Sequence, residues 1–403
     1  MSRPLTQPIP AITHMHSHCP PPLRRWTRTT VVSLLAALAV LAAFVAEAAR
    51  WMRAPAPPSL LSAAAADAHG QARLVELSRT LIPMPANTPS AHASSLATAN
   101  GALLAFWWAG SRESGPDVKV YASRSRNGKW SAPLVVASRE SLGRALGFGV
   151  RRIGNPVAWT APDGAVHLYV VATGLGGWAA SRIAHMVSLD DGATFAVRRL
   201  LPLSPLFNTS TLVRTAPVAV ADGGWWLPVY FELGIKYPMA IAFDAQGEPT
   251  RVVRIGARMS TLQPTIVPVS RTEVRAWMRD ASDEQRVQHA RSGDGGASWE
   301  DLPALDLPNH STSLAALRLA NGDILMLHNH VVAAGSSRSM LRLSISSDGQ
   351  VWRTVADIAS GKAGDEFSYP TMHQVGDKLH ITYTHQREAI AHHAYQIHIG
   401  KDT

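Results

Sequence analysis

The chain has 403 residues, of which 46% are hydrophobic and 17% charged, and it carries one cysteine, Cys19. That composition excludes a disulfide-stapled scaffold and a disordered polyelectrolyte, and it leaves enough apolar material for a large core. The net charge of +9 does not point to nucleic acid, because residues 1–56 alone hold six arginines against Glu47 and the remainder is only mildly basic.

In chain order, residues 1–28 form a Pro-rich basic tail containing Arg24, Arg25 and Arg28. Residues 29–46, TTVVSLLAALAVLAAFVA, are free of charge. This run is of marginal length for a membrane span and long for the apolar part of a signal peptide. It is expected to be a transmembrane signal-anchor. The arginines before it place the tail in the cytoplasm and the rest outside, in the periplasm or beyond, with the chain held in the inner membrane. Cleavage near Ala46-Glu47-Ala48 would instead release a secreted protein. Residues 47–78, rich in Ala and Pro, read as a linker.

From residue 79 to 403 short strand-like runs alternate with turn dipeptides such as Asn100-Gly101, Asp163-Gly164 and Asn321-Gly322. The runs include 103–108, 118–123, 166–172, 225–231, 274–278, 324–328, 340–344 and 379–384. No comparable helical period appears after the apolar segment. Within this region Ser-x-Asp-x-Gly-x-Thr/Ser-Phe/Trp recurs as Ser188, Asp190, Gly192, Thr194, Phe195 and again as Ser292, Asp294, Gly296, Ser298, Trp299. A shortened copy is Ser346, Asp348, Gly349, Trp352, a degraded one is Ser125, Asn127, Gly128, Trp130, and Asp244-Ala-Gln-Gly247 is a worn one. Asp accepts hydrogen bonds from backbone amides ahead of it and Gly supplies positive φ, so each copy reads as a hairpin turn. A repeat of about 50 residues made of short strands is the signature of propeller blades. The expected fold is all-β, a six-bladed β-propeller preceded by the transmembrane helix.

These repeats resemble the Asp boxes, or BNR repeats, of the sialidase (neuraminidase) superfamily of bacterial type. The resemblance implies that the boxes tie blades together and lie away from the site. It also covers segments outside the boxes. Asp117, after Arg112-Glu113, matches the family's acid/base aspartate. Arg279 in Ala-Trp-Met-Arg-Asp280 and Arg338 in Ser-Ser-Arg-Ser-Met match two arginines of its carboxylate-binding triad. Tyr369 in Glu366-Phe-Ser-Tyr-Pro370 matches its nucleophile. Such a site suits sialic acid: guanidinium forks hold the sugar carboxylate, and a tyrosine attacks as a neutral group where an anion would be repelled.

Two positions depart from the pattern. His92 stands where the first arginine is expected, and Gln263 where a glutamate takes the tyrosine's proton. A neutral His binds carboxylate weakly and a Gln cannot take a proton. Glu232, ending the apolar run Pro-Val-Tyr-Phe-Glu, is a replacement base, and Arg214 a replacement cation. Glu366 lies three residues before Tyr369. His310 and His330 read as sugar-contacting groups. The predicted site is therefore Asp117, Tyr369 and Glu232 for catalysis, with His92, Arg112, Arg214, Gln263, Arg279 and Arg338 for binding. No metal or other cofactor is expected, because His328, His330, His392 and His393 lack further ligands at useful spacing. The implied function is exo-glycosidase action on acidic, sialic acid-like glycans. The alternatives are a lyase or hydrolase for another acidic sugar and a glycan-binding propeller without catalysis.

Overall fold

A computed structural model of the chain describes residues 27–51, 70–203, 208–331 and 338–400. The basic tail up to residue 26, Cys19 included, and the linker over 52–69 lie outside the described residues. The apolar segment is a helix, Arg28–Trp51. Its stretch Arg28–Ala46 is long and apolar enough to cross a membrane. Thr27 opens it, its hydroxyl accepting from the amide of Thr30.

The second unit is a six-bladed propeller. Blade 1 is Ser90–Ala99, Ala102–Gly110, Lys119–Arg126 and Lys129–Trp130, with Leu134–Ser138 also paired to its third strand. Blade 2 is Arg152–Thr160, Val166–Thr173, Ser181–Ser188 and Ala196–Leu200, and blade 3 is Thr211–Val213, Trp225–Leu233, Ile235–Phe243 and Pro249–Arg254. Blade 4 is Thr261–Pro268, Val274–Asp280, Gln288–Ser292 and Glu300–Leu302, and blade 5 is Ala315–Arg318, Ile324–Asn329, Met340–Ser346 and Arg353–Ser360. Blade 6 takes Phe367–Val375, Lys378–His385 and Ala389–Gly400 from the chain's end and its outermost strand, Gln71–Leu81, from the beginning. That strand starts inside the stretch expected to be linker. Its alternation is masked by exposure on both faces, since it packs mainly through one edge.

One helix, Arg139–Leu146, departs from the all-strand expectation. It has a reciprocal Ser138–Ser141 capping box and ends on Gly147 at φ 72°. Eight residues are too few to display a helical period in sequence.

The Asp boxes occupy the turns between third and fourth strands. In two copies the bonding is the same. Ser188 and Ser292 hydroxyls donate to Asp190 and Asp294 at 2.6 and 2.7 Å, and accept from the amides of Gly192 and Gly296 at 2.8 Å. Thr194 and Ser298 amides donate to the same carboxylates at 2.9 Å. Asp244 accepts from the amides of Gln246 and Glu248, so the worn copy does the same work. The box glycines lie hard against the preceding blade. A β-carbon on Gly296 would come 1.9 Å from Trp226, and one on Gly192 2.7 Å from Leu104. Arg124 and Arg275 of preceding blades donate to the box carbonyls of Asp191 and Asp348. The boxes thus join blades.

Because strands alternate in direction, the boxes lie at one end of the propeller. The N-terminal ends of the innermost strands lie at the other, together with the loops joining second to third strands.

Candidate functional site

The innermost strand of each blade begins with the same backbone irregularity. A non-glycine residue there adopts positive φ: Ala93 (57°), Asn155 (39°), Ser210 (54°), Gln263 (51°), Ser311 (56°) and Tyr369 (53°). In blades 1, 2, 4 and 6 the ladder slips at this point. A bulge of this kind re-aims a side chain, and left-handed backbone in bulky residues is strained and typical of functional sites. Of these residues Asn155, Gln263 and Tyr369, each at a bulge, lie on one cavity at this end of the channel.

At that end a cavity of about 240 Å³ is lined by Trp108, Glu113, Asn155, Trp178, Leu212, Tyr230, Glu232, Gln263, Arg279 and Tyr369. Four of the nine residues expected from sequence, Tyr369, Glu232, Gln263 and Arg279, therefore meet on its wall. Arg279 is steadied by its Nε bond to the hydroxyl of Ser311, at 3.1 Å. Gln263 donates to the Tyr230 hydroxyl at 3.3 Å. Burial pushes the Tyr230 phenol well up, and it stays protonated at neutral pH.

Three more of the nine pack behind Tyr369. The His92 ring is 4.1 Å from the tyrosine ring, centroid to centroid. The guanidiniums of Arg214 and Arg338 stand over the tyrosine at 5.1 and 5.5 Å from its centroid. His92 is buried, and that burial, with Arg387, Arg338 and Arg214 near it, holds its pKa well below the ordinary value, so the ring is neutral. Among the described residues neither of its nitrogens has a hydrogen-bond partner.

Arg214 differs from the expectation of a substrate-facing cation. It is buried across the axis, bonding the carbonyls of Ser94 (3.2 Å) and Pro370 (2.9 Å) and the hydroxyl of Thr371 (3.3 Å). It thereby ties blades 1 and 6 to blade 3. Burial lowers its pKa to about 10, which leaves it cationic at neutral pH.

Asp117 and Arg112 are exposed and are not on the cavity wall. Both carboxylate oxygens of Asp117 are taken by Ser111, through its hydroxyl and its amide at 2.7 Å each. Those bonds hold its carboxyl below the usual range and close the loop on itself. The carboxylate of this loop that reaches the cavity is Glu113. His310 and His330 are likewise off the wall.

Tyr230, Asn155 and Arg387 stand outside the set expected from sequence. Tyr230 is two residues before Glu232, hence on the same strand face. Asn155-Pro156 repeats the X-Pro pair of Gln263-Pro264 and Tyr369-Pro370 at the equivalent place in its blade. Arg387 carries no such signal. It sits in the last hairpin at φ 57° and bonds Glu366 through Nε at 2.7 Å and also Glu113. Arg338 bonds the other Glu366 oxygen at 2.7 Å. Burial opposes the charge of Glu366, but Arg338, Ser368 and Arg387 outweigh it and hold the carboxyl below its ordinary pKa. The result is a fixed chain of charge, Arg338–Glu366–Arg387–Glu113, along one side of the mouth.

A second cavity, about 330 Å³, fills the channel toward the box end. Its wall is drawn from all six blades and includes neither a carboxylate nor a tyrosine. Among the described residues no group of three or more His, Cys, Asp or Glu side chains is arranged to hold a metal ion.

The fold is an all-β ring of six blades, and a tyrosine, arginines and glutamates gather at one end of its axis. The chain belongs to the BNR repeat-like domain family, whose pattern matches residues 101–381. Among solved structures it is similar to a protein of unknown function from Dyadobacter fermentans, at 14% identity and a TM-score of 0.62, covering 81% of this chain and 99% of that one. It is also similar to Trypanosoma rangeli sialidase in complex with sialic acid, at 15% identity and a TM-score of 0.58, covering 82% of this chain and 59% of that one. The NanB sialidase from Streptococcus pneumoniae is similar at 11% identity and a TM-score of 0.58, covering 80% and 70%. The chain thus spans about three fifths of the Trypanosoma enzyme's length. No curated protein matches it in sequence.

Proposed function

We propose that the chain is a sialidase-type exo-glycosidase that removes a terminal acidic sugar from a glycan. The observation that carries this reading is the meeting of Tyr369, Glu232 and Arg279 on one small cavity, with Arg338 over the tyrosine ring. In the proposed reaction Arg279 and Arg338 fix the sugar carboxylate. Tyr369 Oη attacks the anomeric carbon while Glu232 takes its proton. Glu113, released from Arg387 and protonated as substrate enters, gives its proton to the departing glycosidic oxygen. Water activated by Glu113 then releases the sugar from Tyr369, with overall retention.

Neutral His92 in place of a guanidinium, and Gln263 engaged with Tyr230, favour an acidic sugar other than the common sialic acids. A lyase or hydrolase for such a sugar uses the same residues. The helix Arg28–Ala46 serves, in this reading, as a single membrane anchor with the propeller on the exported side.

The test is product release from a panel of acidic glycosides. Sugar release by the natural chain, abolished in Tyr369→Phe while binding persists, is the expected result. Binding without turnover across the panel would assign the propeller to glycan recognition instead.

A further inference from the structure

The ring closes where blade 6 meets blade 1, and this seam is built unlike the others. In blades 2 to 5 the box glycine lies against the blade before it. A β-carbon on Gly192, Gly247, Gly296 or Gly349 would come 2.7, 3.0, 1.9 and 2.7 Å from Leu104, His167, Trp226 and Arg275 respectively. Gly128, at the same place in blade 1, would meet nothing within 4 Å. At three of the tight seams an arginine of the earlier blade also donates to a carbonyl of the box turn: Arg124 to Asp191, Arg198 to Gln246 and Arg275 to Asp348. Lys378 is the cation of blade 6 at the open seam, and its ammonium has no hydrogen bond or ion pair among the described residues. The box of blade 1 is also the copy with Asn127 in place of aspartate.

The gap left between the two blades is a cleft of about 650 Å³. Lys378, His380, Ser125 and Asn127 line it, with Leu77 and Val375 beside them, and its wall includes no carboxylate. The proton positions follow from the hydrogen bonds. Trp130 Nε1 donates to His392 Nδ1 at 3.3 Å, so His392 Nε2 donates to His380 Nδ1 at 3.1 Å. The proton of His380 is therefore on Nε2, which has no partner among the described residues. Burial lowers the pKa of both rings, and they are neutral at neutral pH. The Asn127 amide is exposed and likewise unbonded.

From this seam we infer that the cleft is a second ligand site, for a sugar-sized monoanion carrying a carboxylate or a sulfate ester. Lys378 supplies the charge, and His380 Nε2–H and the Asn127 amide supply directed donors. One cation with no carboxylate opposite it suits a single negative charge. Asp377, next to Lys378, is exposed and off the wall. The volume falls within the ~300–1,000 Å³ of most ligand pockets, and Leu77 and Val375 offer cover to the apolar face of a ring. Arg126 and Lys129 pair at the foot of the Asn127-Gly128 turn, both exposed. They add a positive field that draws anions toward the seam. The cleft is at the box end, so the inference stands apart from the reading of the axial cavity as a glycosidase site.

The test is calorimetry on the full chain in a neutral detergent, with sodium glucuronate, glucose 6-sulfate, methyl glucoside and inorganic sulfate as probes. At least one of the two sugar anions is expected to bind about tenfold or more tighter than methyl glucoside. Asn127→Asp restores the box residue and sets a carboxylate on the wall. It should weaken that binding by about tenfold or more, and Lys378→Gln should do the same. Both positions are exposed, so the melting temperature should stay that of the natural chain. In Arg279→Ala, which removes a cation from the axial cavity, the binding should persist. The inference is overturned if neither sugar anion binds, or if methyl glucoside or inorganic sulfate binds as tightly as the sugar anions. It is also overturned if both cleft variants bind as the natural chain does. Binding lost in Arg279→Ala and kept in the cleft variants belongs to the axial cavity and overturns it too. The glycosidase reading is decided separately, by turnover.

Discussion

The two ends of the propeller are built from the same repeat and treat it oppositely. At the box end the turns share side chains as well as backbone. Asp190 and Asp294 accept the same bonds at nearly the same lengths, and the box glycines Gly192 and Gly296 lie against the preceding blade. At the site end only the backbone repeats. Each innermost strand has a positive-φ residue in its opening turn or just ahead of it, yet the residues there are Ala93, Asn155, Ser210, Gln263, Ser311 and Tyr369. Buried polar atoms at this end, the His92 nitrogens and Gln263 Oε1 among them, have no partner among the described residues. At the box end the carboxylates and turn amides are paired, and among the described residues the orphaned groups of the boxes are the indole Nε1 atoms of Trp299 and Trp352. The other end holds strain and unmet bonding capacity, which is what a site that must meet a ligand requires.

The contrast can be broken at either end. The largest effect expected is at the site. If Tyr369 is the nucleophile proposed above, Tyr369→Phe should lower turnover by on the order of 10³-fold or more while the melting temperature stays nearly constant, because only its hydroxyl oxygen is removed. A variant that melts early with its activity intact would move Tyr369 to the structural side. Next is the box end. Gly296→Ala should cost about 3 kcal/mol of stability, measured by denaturant unfolding. Its β-carbon would meet the Trp226 ring at 1.9 Å, and its φ is +84°. Affinity for an acidic sugar in the refolded fraction should not change, and a loss there would show that the two ends are coupled.

The third concerns pH. Trp130 Nε1 donates to His392 Nδ1 at 3.3 Å, so His392 Nε2 carries its proton toward His380 Nδ1, 3.1 Å away. Burial, with His380 and His393 adding to it, pushes His392 down to about 3, and burial lowers His380 as well. The unfolded chain therefore binds more protons than the folded one between about pH 6.5 and 3. Stability is full above that window and falls as pH drops through it. His392→Gln should lessen the slope by at most ~1.4 kcal/mol per pH unit, in chemical denaturation at pH 4 to 7. An unchanged slope would remove this blade 6–blade 1 seam from the acid response.

The smallest effect is at a bulge. Asn155→Gly should alter stability by less than about 0.5 kcal/mol, since Asn tolerates left-handed backbone well. It should nonetheless raise KM, because the amide lines the cavity. A large loss of stability would mean that the bulge, too, is held for structure.

The same contrast governs what could be read from the sequence. The boxes announce blades because a turn needs Asp and Gly at fixed offsets, and their spacing of about 50 residues over the domain gives six. Tyr369, Gln263, Arg279 and Glu232 were legible through their surroundings in the innermost and second strands. Asp117 was not distinguishable from Glu113 in sequence, since which carboxylate of a short loop faces inward depends on Ser111 capturing the other. Arg387 was hidden for a related reason. It meets Glu366 through the pairing of strands within blade 6, and Glu113 only through the meeting of blades 6 and 1. Arg214 showed its charge but not its destination, because nothing local reveals that it crosses the axis to Ser94 and Pro370.

The joining of Gln71–Leu81 to Ala389–Gly400 in blade 6 sets the order in which the propeller can form. As the chain is synthesised, its first strand is complete long before the strand that pairs with it. Five blades can collapse locally, each from neighbouring hairpins, while that first strand waits. The final step is then a loop closure over nearly the whole domain, and long-range pairing of this kind is slow. During the wait both strands present unpaired edges, the state most open to aggregation or to capture by a chaperone. Folding should therefore show a late phase in which the first and last strands gain amide protection together.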